Sequence, residues 1–141
     1  MTNKTAGSSL VDEQQEGLTV SGHGQREAAL LVDAVYWKDQ VVNDVRSEQG
    51  RLSAREHQVS VNLISEVAVL IAGYIARGEV LVSPADTVRR ALNRNELPIS
   101  ARQAGRVAKF LEARGHGASL RACMMARGEA SSCHIKMKDA H

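Results

Sequence analysis

The sequence predicts a mainly α-helical domain closed by a small β-hairpin, preceded by an extra N-terminal helix and a disordered N-terminal tail. Three observations lead there. Four stretches carry apolar residues at three- and four-residue steps, set off by serine, glycine or proline. Two short alternating segments lie near the C-terminus. The opening stretch has no apolar period at all. With 141 residues the chain suffices for one domain with a core and is too short for two.

Residues 1–24 are rich in Thr, Ser, Gly and Gln and cannot bury enough surface to offset chain entropy, so they read as a flexible tail that includes His23. From Gln25 to about Gly50, Ala28, Leu31, Val35, Val42 and Val45 follow one helix face, interrupted midway by Lys38 and Asp39. This N-terminal element, residues 25–52, packs either on the rest of the domain or on a second copy. The remainder, 53–141, forms the main domain.

Ser53 with Glu56 fits a capping box that opens a second helix, which runs to about Arg77 and stops at Gly78. Val59, Leu63, Val67, Leu70, Ile71 and Tyr74 cover one broad side of it, and Ala68, Ala72 and Ala76 form a row of small residues. It reads as the central buried helix, with a dimer seam as the competing use. Glu79–Val82, β-branched between a glycine and Ser83-Pro84, reads as a short strand. Ser83, Pro84 and Asp86 specify the next helix start, and that helix reaches about Asn95. Ser100 with Gln103 gives another capping box for a helix over 101–114, stopped by Gly115. On it Ala104, Val107, Ala108 and Leu111 share one arc, and Arg102, Arg106 and Lys109 lie opposite. Finally, 119–124 and 133–138 alternate around a turn-rich interval, which predicts the hairpin. A terminal helix over 118–126 is the rival reading, because Ala, Leu, Arg and Met are good helix formers.

Charge is unevenly placed. The net of +2 divides into −4 over residues 1–80 and +6 over 81–141, a polarity that favours a polyanion partner at one end. Aromatic residues are 3% of the chain, too few for stacking single-stranded bases or clamping sugars. Two cysteines exclude a disulfide scaffold, and the N-terminus has no secretory pattern. Residues 59–76 approach the length of a membrane span but contain Asn62 and Glu66, so a buried helix is expected, in a cytoplasmic protein with no membrane partner.

The stretch Ile99-Ser100-Ala101-Arg102-Gln103-Ala104-Gly105-Arg106-Val107-Ala108-Lys109-Phe110-Leu111-Glu112-Ala113-Arg114-Gly115 resembles the recognition helix of the winged helix-turn-helix family. The resemblance extends over roughly residues 53–138, with the helix from Pro84 as the first of the motif. It implies a winged domain that binds double-stranded DNA, acts as a repressor-like transcriptional regulator, and works as a homodimer on two half-sites. The resemblance implies base contacts by Ser100, Arg102, Gln103 and Arg106, in the first turns of the recognition helix, where arginine can pair with guanine and glutamine with adenine. Phosphate contacts fall to Lys109, Arg114, Arg121, Lys136, Lys138, Arg90 and Arg94, with Arg89 adding to the field and His116 at the hairpin's start. Dimerisation falls to Leu31, Val35, Val42, Ala68 and Ala72. The alternative is a helical adaptor that binds a protein through its apolar helices.

Other site-like residues carry less. Cys123, Cys133, His134 and His141 are metal-compatible, but Cys-x9-Cys-His-x6-His matches no structural zinc spacing, so no metal or cofactor is expected. Nothing supplies an oxyanion donor or an orienting third group beside a Cys–His pair, and no phosphate-binding glycine loop occurs, so the protein is not read as an enzyme. His57 reads as a packed or surface residue.

Overall fold

Serine side chains decide where most of the helices start. The computed structural model describes the backbone of residues 22–139 and the side chains of 27–128. Its described residues form six helices: α1 Gly22–Arg46, α2 Glu48–Glu56, α3 Val61–Ala76, α4 Pro84–Asn93, α5 Ala101–Ala113 and α6 His116–Asp139. Ser47, Ser60, Ser83 and Ser100 sit at N-caps in extended backbone. Their hydroxyls accept from the amides of Gly50, Leu63, Asp86 and Gln103. Each such cap is worth about 1 kcal/mol.

The same four helices end alike. A left-handed residue follows each one: Gln58, Gly78, Asn95 and Gly115. After α2, α3 and α4 the next amide then reaches back five residues, from Val59 to Ala54, Glu79 to Tyr74 and Glu96 to Ala91. This closure satisfies carbonyls the helix end would leave open. At positions 78 and 115 glycine adopts the conformation without a Cβ penalty.

Several sequence expectations are corrected. The first helix stops at Arg46, short of Gly50, because the Ser47 hydroxyl donates to the Asp44 carbonyl at 2.6 Å and accepts from the Gly50 amide at 3.0 Å. The helix predicted from Ser53 to Arg77 is two helices, α2 and α3, bent by 99°. Ser53 lies inside α2, and Ser60 supplies the cap that Ser53 was expected to supply. Glu79–Val82 is not a strand, for no second strand exists among the described residues to pair with it. The hairpin over 119–138, and with it the winged fold, is overturned: the chain there is α6. Leu120 is wholly buried, and Cys123 and Met124 pack against the core at helical spacing, so the helix formers of the rival reading win. Mainly α holds. Of the predicted tail, residues 1–21 lie outside the described residues and 22–24 already belong to α1.

The core is built around α3, which buries Ile64, Val67, Ala68, Ile71, Tyr74 and Ile75. Helix α1 lies against α3 over the largest helix–helix contact of the fold, α4 packs on α5, and α6 touches both α1 and α5. These bring in Trp37, Val41 and Val45 from α1, Val88 and Ala91 from α4, Val107, Phe110 and Leu111 from α5, and Leu120 from α6. Each large apolar side chain so buried stabilises by about 1.5–3 kcal/mol. The inward stripe of α1 is Ala34, Trp37, Val41 and Val45; only Val45 belonged to the predicted stripe, whose Leu31 and Val35 are exposed. No single helix among the described residues is long and apolar enough to cross a membrane.

Two glycines of opposite context give a test. A Cβ on Gly50 would stand 1.8 Å from the Asp44 carbonyl oxygen, a backbone atom with nowhere to go, whereas a Cβ on Gly105 would meet nothing within 4 Å. Gly50→Ala is therefore expected to lower stability by about 1–3 kcal/mol or more. Gly105→Ala is expected to raise it by about 0.5–1 kcal/mol. Thermal and urea melts of the two variants check both signs.

Candidate functional site

Several cations of the C-terminal half are engaged inside the molecule. Glu79, in the segment between α3 and α4, accepts from Arg77 at 3.2 Å, Arg90 at 3.0 Å and Arg94 at 3.0 Å. These guanidiniums, Arg94 foremost, hold its carboxyl down at about 2 against the desolvation of its site. Arg90 also reaches Asp86 at 3.4 Å, and Arg89 lies 3.6 Å from the same carboxylate. The Tyr74 ring has the Arg77 and Arg94 guanidiniums over it at 4.9 and 5.1 Å, and its hydroxyl donates to Glu96. Burial first, and then that carboxylate, push the Tyr74 phenol up.

A second knot joins α1 to the corner between α5 and α6. Asp44 accepts from Arg114 Nη2 at 2.6 Å and Nε at 3.0 Å, a bidentate pair. His116 Nε2 donates to the same carboxylate at 2.8 Å, and the Trp37 indole donates to the His116 carbonyl at 3.0 Å. The Arg114 hydrogen bond is the main reason the Asp44 carboxyl titrates below its usual range. His116, expected near phosphate, is instead buried in this knot. Arg121 completes the set by reaching back from α6 to Glu112 at 2.8 Å.

The expected phosphate contacts thus divide. Arg90, Arg94, Arg114 and Arg121 are each engaged with a carboxylate of the protein. Lys136 and Lys138 lie on the backbone of α6, and their side chains fall outside the described residues. Arg102 and Lys109 are exposed, Arg106 is half-buried, and none of the three meets a carboxylate, although all stand on one face of α5. Ser100 and Gln103 form the capping box at the start of that helix: Gln103 Oε1 accepts from the Ser100 amide at 3.3 Å, and the Ser100 hydroxyl accepts from the Gln103 amide at 3.1 Å. Their acceptor oxygens are occupied, which leaves the Gln103 amide nitrogen and the Ser100 hydroxyl proton as outward donors.

Of the expected dimerisation residues, Leu31 and Val35 are exposed together with Val32 and Tyr36, Val42 and Ala72 are half-buried, and Ala68 is sealed in the core. Among the described residues no three metal-ligating side chains cluster; Cys133, His134 and His141 lie outside the described side chains. The half-buried Cys123 thiol is pushed up, by burial and then by Asp33, the reverse of an activated nucleophile. His57 closes α2, its Nδ1 2.8 Å from the Ser53 carbonyl and its ring edge-on to Phe110.

Comparison with protein-family models, curated proteins and solved structures found no match. The chemistry of this chain therefore rests on its own side chains.

Ala85, Val88, Arg89 and Leu92 of α4 face Ala101, Ala104, Gly105 and Ala108 of α5 across an open groove of about 150 Å³. Its trace in the sequence is the run of small residues at positions 101, 104, 105 and 108, of which Ala104 and Ala108 belong to the core, as expected, and Ala101 and Gly105 are exposed.

Folding lowers the proton affinity of Glu79, so the unfolded chain takes up that proton first as pH falls. The contribution of Glu79 is complete above about pH 4.5 and is lost as pH falls towards 2. Glu79→Gln is expected to lower Tm by several degrees at pH 7, with the gap to the parent protein closing over that window. Melts at half-unit pH intervals measure it; a gap that is constant with pH would contradict the assignment.

Proposed function

We propose that the protein binds double-stranded DNA through the exposed face of α5, as a small cytoplasmic transcriptional regulator that represses by occluding its site. The observation that carries this reading is the row Arg102, Arg106 and Lys109: three cations on one helical face, free of carboxylates, in a protein that pairs Arg90, Arg94, Arg114 and Arg121 internally. An α-helix fits the major groove. The pair α4–α5 supplies a second helix to brace it, without a wing. In this reading Arg102 and Arg106 reach base edges, with guanine O6 and N7 as their natural acceptors. Ser100 and Gln103 flank them through their free donors, and Lys109 takes a phosphate. The exposed Leu31, Val32, Val35 and Tyr36 of α1 pair two copies, so that two half-sites are read together.

Selection from a random duplex pool supplies the DNA for the test. Replacing Arg102 and Arg106 together by alanine is expected to weaken binding at least about tenfold, with stability changed by less than about 0.5 kcal/mol. Lys109→Ala is expected to reduce the slope of log affinity against log salt by about 1. Absence of binding to any duplex at low salt overturns the reading.

Sedimentation addresses the pairing. Leu31→Glu with Val35→Glu is expected to give a monomer that has lost cooperative binding, and an unchanged sedimentation coefficient removes α1 from the interface.

A further inference from the structure

The groove between α4 and α5 is lined by alanines, a glycine, Val88 and Leu92, and nothing would obstruct even a Cβ at Gly105. Its floor is apolar, whereas its borders are basic. Arg89, on the α4 wall, has a side chain 67% exposed. On α5, Arg102 follows Ala101 and Lys109 lies one turn beyond Gly105, both exposed and without a carboxylate partner. The nearby carboxylates are already engaged, Asp86 with Arg89 and Arg90, and Glu112 with Arg121.

From this floor and these borders we infer that the α4–α5 groove docks an amphipathic helix of a partner protein, one that presents small or branched apolar side chains flanked by Asp and Glu. Both walls are helices, so their backbone groups are bonded internally and offer no edge to an extended strand. The occupant must satisfy its own backbone, which makes it a helix. Two turns of α5, from Ala101 to Ala108, set the length of the contact, matching apolar anchors at i and i+4. Alanine and glycine walls let that helix approach closely, and the carboxylates beside its anchors meet Arg89, Arg102 and Lys109. The occupant would share Arg102 and Lys109 with DNA, but the groove floor serves only the helix, so this inference stands apart from the DNA reading.

The test uses the full chain and a labelled peptide of about 16 residues, long enough to hold a helix. Leucines lie on one face with glutamates beside them; a second peptide carries lysines in place of the glutamates. Anisotropy is expected to show saturable binding of the acidic peptide, at least about tenfold tighter than the basic one. Gly105→Leu puts a larger side chain on the groove wall, at a position where a Cβ meets nothing within 4 Å. It is expected to weaken the acidic peptide at least about tenfold while Tm stays the same or rises. Arg89→Glu is expected to narrow or reverse the preference between the peptides. Equal binding of the two peptides, or binding undiminished in a folded Gly105→Leu protein, overturns the proposal. So does failure of the acidic peptide at about 1 mM. If duplex DNA binds while the acidic peptide does not, the groove proposal falls and the DNA reading stands; the opposite pattern leaves the groove proposal and removes the DNA reading.

Discussion

The arrangement of the helices depends on Asp44. Its carboxylate holds the Arg114 guanidinium by two bonds and the His116 ring by a third, and the His116 carbonyl in turn receives the Trp37 indole. Through these contacts the last turns of α1 are fixed to the corner where α5 gives way to α6. The tie adds a polar anchor to the apolar packing of α6, whose Leu120, Cys123 and Met124 also meet the core. A half-buried carboxylate is costly unless it is paired and hydrogen-bonded. Here one histidine and one bidentate arginine meet that need.

Asp44 and Glu79 also explain why counting charges along the chain misleads. The N-terminal half carries the acidic excess and the C-terminal half the basic one, yet both carboxylates belong to the first half and hold Arg90, Arg94 and Arg114 from the second. The opposed excesses are in good part complementary halves of the internal structure. What is left over for an outside partner is smaller and better located than the net charge suggests. Among the described residues it includes the row Arg102, Arg106 and Lys109 on α5.

Much of the helical content was legible because its signals are local. Ser83-Pro84 and the Ser100/Gln103 box mark their helices within a few residues, and Gly78 and Gly115 mark two ends. Where two local signals competed, sequence alone could not arbitrate. Ser53 and Ser60 both precede apolar runs, and the choice of Ser60 follows from the left-handed turn at Gln58, which no glycine announces. The alternation at Cys133–Lys138 resembled a strand, but a strand needs a partner and a helix does not. The candidate site was legible as a face, since the positions of Arg102, Arg106 and Lys109 follow from helical periodicity alone. Which other cations were already taken was not legible. Those pairs are tertiary: Arg114 meets a residue 70 positions away and Arg94 one 15 positions away. The groove was hidden for a related reason, because small residues at helical steps look the same in a core and in a surface furrow.

The serine starts and left-handed stops have a kinetic consequence. Helices α2 to α5 carry their boundaries within their own sequence, so where each starts and stops is set by local contacts, while tertiary packing keeps such short helices formed. The Trp37–His116 contact must instead close a separation of 79 residues, and such closure carries an entropy cost that local helix growth does not. The docking of α1 against the α5–α6 corner is thus the long-range contact whose closure costs the most chain entropy. The one tryptophan of the chain sits at that junction, so the molecule carries its own optical marker for the closure of this contact.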